Sequence, residues 1–188
     1  MEISLRDLLT VLHGVGFGAL FMLAFSGAIG VIYATMVADV RWRPGAGDNL
    51  MFRFYLTSMA ALAWLAVLTG TYIVYPWYRA VPPPGTTDLS LYPQRLLLSS
   101  PLTAGWHDYG MEWKEHIAWL TPIAMTMVAY VFIKYGPGLA RFRHMRNAVL
   151  GFTVVAFVAT AVAGVLGTFL NKYAPVRGGA EIVLLQAK

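Results

Sequence analysis

Residues 8–38 read LLTVLHGVGFGALFMLAFSGAIGVIYATMVA, an apolar run without a single charged side chain. A helix crosses the roughly 30 Å hydrocarbon core of a bilayer with about 20 such residues, so this stretch can span it with a tilt or a projecting end. It is too long for the apolar core of a secretory signal, and no small-residue cleavage site stands out from its general Ala and Gly content. Three further stretches meet the same test, at about residues 54–75, 117–134 and 148–171. The expected fold is all-α: an integral membrane bundle of four transmembrane helices. It forms one domain over residues 1–188, with a long loop, 76–116, between helices two and three.

Composition excludes the alternatives. The chain has 188 residues, of which 58% are hydrophobic and 12% charged, whereas a soluble domain carries about 25% charged residues. A soluble chain of this size could not hide so much apolar surface. The absence of cysteine rules out thiolate zinc sites, cysteine-ligated iron–sulfur clusters, thioether-linked haem and disulfides. The net charge of +5 is not spread as a nucleic-acid stripe, and no nucleic-acid partner is expected. Topology accounts for it.

Four spans put the N-terminus, residues 76–116 and the C-terminal tail on one side. That side carries Arg6, Arg79, Arg95, Lys114, Lys172, Arg177 and Lys188 against Glu2, Asp7, Asp88, Asp108, Glu112, Glu115 and Glu181. The other side has Arg41, Arg43, Arg53, Lys134, Arg141, Arg143 and Arg146 against only Asp39 and Asp48, packed into two short loops. Basic residues in short loops beside span ends mark the cytoplasmic face. The expected location is the bacterial inner membrane, with both termini and the long loop facing the periplasm.

The turns 41–48 and 135–138 are expected to be loops on their Pro and Gly content. The long loop holds six prolines, at 76, 82, 83, 84, 93 and 101, yet is rich in Leu, Tyr and Trp. It is expected to be ordered and to pack over the helix ends, although its prolines forbid long helices. Small residues at four-residue spacing mark candidate helix contacts or room for a flat cofactor. These are Gly14 with Gly18, Ser26 with Gly30, and Thr160, Gly164 and Thr168 beside the row Ala159, Ala163 and Gly167.

The chain has four histidines. His144 lies in the basic segment 141–146 and is expected to meet anionic headgroups. His13 opens the first span and His116 the third. Those spans run in the same direction, so the two imidazoles fall at similar depth, as bis-histidine ligation of a haem requires. Three readings of the pair stay open: haem ligation, plain interfacial histidines, and a non-haem metal held with His107, Asp108, Glu112 and Glu115. Aromatic residues crowd the same end, at Tyr72, Tyr75, Trp77, Tyr78, Trp106, Tyr109, Trp113 and Trp119. They form an interfacial belt or the wall of a porphyrin or quinone site. No phosphate-binding glycine loop, Ser–His–Asp set or zinc-protease motif occurs, and no acid sits at a span centre.

The segment Leu12-His13-Gly14-Val15-Gly16, with Leu20, Phe21 and Gly27, resembles the opening helix of small four-helix membrane cytochromes b and of copper-resistance D-type membrane proteins. The resemblance covers about one span in four. It implies one haem b near the periplasmic face with His13 and His116 as axial ligands. A second haem at the opposite face would have only His144. The function so implied is a membrane electron-transfer subunit of an oxidoreductase complex. It would relay electrons between quinone and a periplasmic redox partner such as a cytochrome, in contact with lipid and other membrane subunits. A cofactor-free accessory or scaffold subunit is the alternative.

Overall fold

The computed structural model describes residues 3–36 and 46–175. Among them every regular element is a helix. Four helices are long and apolar enough to cross a membrane: Leu5–Tyr33, Leu50–Tyr78, Pro101–Tyr135 and Arg143–Tyr173, here spans one to four. Each packs on its neighbours in chain order and the fourth closes on the first. The result is a ring of four around one core.

Two helix starts lie earlier than expected. The second helix begins at Ala46, so residues 46–48 are helical where Pro and Gly content suggests a loop. The basic residues Arg41 and Arg43 lie outside the described residues, as do Arg177, Glu181 and Lys188. The third span begins at Pro101, not near 117. Much of the expected long loop is therefore helical, and the irregular part is confined to residues 79–92 and 99–100. The reason is proline placement. Pro93 and Pro101 stand in the first turns of helices Pro93–Leu98 and Pro101–Gly105, where a missing N–H removes no intrahelical bond. Ser100 caps the second, its hydroxyl accepting from the Leu102 N–H. The aromatic and Leu residues here do pack. Leu97 is fully buried with Tyr78, Met111, Leu170 and Ala174, and Trp106 stacks on Phe169 at 4.7 Å.

Span one opens on a capping box, in which Ser4 and Asp7 each satisfy the other's backbone N–H. Span three ends at Gly136, whose φ of 48° suits a residue without Cβ.

The two halves of the bundle differ. Away from residues 79–100 the core is apolar, built from Phe21, Ile32, Leu56, Met59, Met125, Val128 and Phe132 around Ala28 and Ala156. Spans three and four come together through alanines on one face of span four, Ala156, Ala159 and Ala163, all buried. Thr121 donates to the Ala156 carbonyl at 3.2 Å and Thr160 to the Thr121 hydroxyl at 2.9 Å. The row with Gly167 is thus the contact row of span four. Gly14 and Gly164 instead face open space, and Gly18 meets only the backbone oxygen of His13, so the Gly14–Gly18 pair is not a helix contact. Gly27 is one: a Cβ there would lie 2.8 Å from the Tyr55 hydroxyl, which donates across spans to Ala24.

Ala156 has no exposed surface. Replacing it with Leu is expected to overpack the contact between spans three and four and cost about 1–3 kcal/mol. Unfolding in mixed micelles, followed by circular dichroism, measures the loss. Leu at exposed Gly164 is the control and should leave the transition in place.

Candidate functional site at the loop end of the bundle

Three spans depart from α-helical geometry at the same end of the bundle. Leu12–Ala19 of span one, Gly70–Val74 of span two and Trp106–Met111 of span three are π-helical. Such segments widen the helix by one residue per turn and gather at functional sites. Each lies beside a polar side chain directed into the bundle.

His13 belongs to the first. Its Nδ1 lies 2.7 Å from the Ala66 carbonyl of span two and 3.3 Å from the Thr69 hydroxyl. A carbonyl only accepts, so Nδ1 carries the proton and donates, and Nε2 keeps its lone pair. The ring fits because residue 70 is glycine: a Cβ there would stand 2.7 Å from the His13 Cε1. Span two thus supplies both the acceptor and the notch.

Lys114 makes the matching insertion from span three to span four. Its Nζ donates to the Ala163 carbonyl at 3.4 Å. A Cβ at Gly167 would meet that nitrogen at 2.8 Å. Among the described residues no carboxylate lies within ion-pair distance of it.

His116 is placed otherwise. It lies two residues beyond Lys114 in the helical segment Glu112–His116, about 200° further round the helix at 3.6 residues per turn. Its side chain is 68% exposed and its Nδ1 sits 3.5 Å from the Glu112 carboxylate. Nδ1 donates to the Glu112 carbonyl at 2.9 Å. On this turn of span three it is Lys114 that reaches a neighbouring span, and His116 stands on the outer face.

The other candidates are dispersed. The Gln94 amide donates to His107 Nε2 at 3.3 Å, which leaves Nδ1–H to donate to the Tyr78 hydroxyl at 2.8 Å. Tyr78 and Gln94 are both buried, so His107 fastens the connecting segment to span two. Glu112 keeps to His116, and Asp108 is exposed. Among the described residues no three of His, Asp and Glu are grouped to hold a metal ion. Arg79 donates to the Tyr75 hydroxyl of span two, and the Glu115 Oε1 is buried with no hydrogen-bond partner. His144 is exposed at the start of span four. The belt aromatics divide: Tyr72 and Tyr109 are exposed, whereas Tyr78 is buried.

Lys114, Thr69, Gly70 and Gln94 were not candidates on sequence. The available signal was Gly167, which continues the Ala159–Ala163 row and marks a close approach from a neighbouring helix.

Gly70→Ala is expected to destabilise the bundle by about 1–3 kcal/mol by driving Cβ into the imidazole. That cost should largely vanish when His13 is also Ala, because the clash has lost its partner. A double-mutant cycle in mixed micelles measures this; additive costs would mean that the notch is not what fixes residue 70. No family model, curated protein or solved structure matches the chain.

Proposed function

We propose that the chain is an electron-transfer subunit of a membrane oxidoreductase complex, holding one haem b at the loop end of the bundle. The observation that carries the reading is the state of His13. Its Nδ1–H is committed to the Ala66 carbonyl, which fixes the ring and leaves Nε2 as a ligand nitrogen. Histidines that bind metals have this arrangement, the second nitrogen donating to a carbonyl or carboxylate. An ionisable side chain inside a membrane helix is also costly unless it has a task. His116 is the second ligand in this reading, its Nδ1 bonded to the Glu112 carbonyl and its Nε2 likewise open. The haem would supply one-electron chemistry, relaying electrons between quinone and a periplasmic partner. The protein's part is to hold the imidazole, exclude water and set the charge around the ring.

A specific observation favours the alternative of a cofactor-free accessory subunit. His116 is exposed on the far side of its helix while Lys114 is the side chain that reaches span four, so a two-histidine site needs His116 to turn inward. In that reading His13 and Lys114 are interhelical fasteners.

The orientation belongs to the same proposal. The basic short loops face the cytoplasm of a bacterial inner membrane, so both termini and residues 79–100 face the periplasm. Alkaline phosphatase fused after Lys188 should be active there. An inactive fusion would put the site at the cytoplasmic face.

The haem is tested by the reduced-minus-oxidised spectrum of the intact chain, purified gently with haem supplied. An α-band is expected in the wild type. His13→Ala should lose it and His116→Ala should lose low-spin character, whereas His144→Ala should leave it unchanged. A wild-type chain without an α-band would leave the accessory subunit as the better account.

A further inference from the structure

We propose that Lys114 is the seat of a carboxylate carried on an apolar ligand, bound between spans one, three and four at the loop end of the bundle. The argument begins with what the ammonium lacks. It has three N–H donors, and its one hydrogen bond is the 3.4 Å contact to the Ala163 carbonyl. The side chain is half-buried, with its ammonium against Gly167 of span four. Removing an ammonium from water costs several kcal/mol unless an opposite charge compensates it. Glu115, one residue on, does not compensate it: among the described residues no carboxylate lies within ion-pair distance of the ammonium.

The neighbours specify the ligand further. His13 offers Nε2, an acceptor, and so does nothing for an anion's lone pairs. The Thr10 hydroxyl lies one turn before His13, on the same face of span one, and is buried with no hydrogen-bond partner. It supplies one more donor. A single positive charge with two or three donors matches a monoanion. A phosphate dianion would need more of both. A neutral carbonyl would accept a hydrogen bond but leave the charge uncompensated. The remainder of the ligand must be apolar, because the adjoining surface is membrane-facing. Gly14 of span one and Gly164 of span four have no heavy atom within 4 Å of where a side chain would start.

Two carriers have this chemistry: a haem, through a propionate, and a long-chain fatty acid from the bilayer. The first deepens the haem reading above and rests on it; the second does not need it.

The intact chain in detergent is titrated with haemin, with haemin dimethyl ester and with a fluorescent long-chain fatty acid. The wild type should bind haemin about tenfold more tightly than its ester, the worth of one charge-assisted hydrogen bond. Lys114→Met should bind acid and ester alike, and Lys114→Arg should restore the preference. If Lys114→Met does not fold, the acid-against-ester comparison on the wild type and Lys114→Arg still decides. Fatty acid bound by the wild type and lost in Lys114→Met, with no haemin bound, would keep the carboxylate site and overturn the haem reading. Haemin and ester bound equally, with no fatty acid bound, would overturn the carboxylate site and leave the haem reading standing. Binding of none of the three would overturn both.

Discussion

Inside a bilayer a polar group that finds no partner in the protein finds none at all, and at the loop end of this bundle that condition decides which residues can be present. His13 and Lys114 reach across to neighbouring helices because their polar atoms have nowhere else to go. Each is received by a backbone carbonyl, Ala66 for one and Ala163 for the other. In a regular α-helix a carbonyl already accepts the N–H four residues on, so it receives a second donor only where a neighbouring helix comes close. Gly70 and Gly167 permit that approach. The π-helical segments at 12–19, 70–74 and 106–111 lie in the same layer, where the helices adjust to the inserted side chains.

The opposite half has no such demands and is built differently. Alanines at 28, 60, 63, 124, 129 and 156 let the helices approach, and Phe21, Leu56, Met59, Met125 and Phe132 fill the space between them. In lipid, apolar burial gives little drive to helix association, so close packing and interhelical hydrogen bonds must supply it. Threonine, tryptophan and tyrosine side chains provide the latter: Thr121 and Thr160 join spans three and four, Trp64 donates to Thr126 at 3.0 Å between spans two and three, and Tyr55 donates to the Ala24 carbonyl between spans one and two. One half therefore holds the bundle together by close packing, while the other accommodates polar groups that a purely structural bundle could omit.

The four spans were legible because hydropathy over about 20 residues is a signal no tertiary contact overrides. Their boundaries were not. Proline was read as a helix breaker at 93 and 101, although in the first turn of a helix it is a start signal. The same error delayed the third span to 117 and left Lys114 in a loop, where a lysine needs no explanation. His13 was legible as a charge-capable residue in an apolar run. His116 shared its depth but not its direction, since depth follows from counting residues along a span and direction from the helix phase. That phase was fixed only once the helix was known to run through 112–116. Among the glycines, the paired spacing favoured Gly14 and Gly18, which no other span approaches, over Gly70, whose small partner four residues away is Ala66.

Lys114 and Glu115 show why adjacency in sequence gives no charge balance in a helix. Successive side chains diverge by about 100°, enough here to send the ammonium to span four without the carboxylate. At the rim the exposed Arg79 guanidinium donates to the Tyr75 hydroxyl, whereas the Glu115 Oε1 is buried without a hydrogen-bond partner. Lys114 gains nothing from this arrangement and remains against span four with a carbonyl dipole as its only hydrogen-bond partner. A bundle shaped only for stability would remove that charge, because an apolar side chain of similar length could fill the same place against Gly167 without the desolvation cost. The lysine therefore needs a reason outside the bundle's own packing, and a ligand that brings the missing negative charge is one.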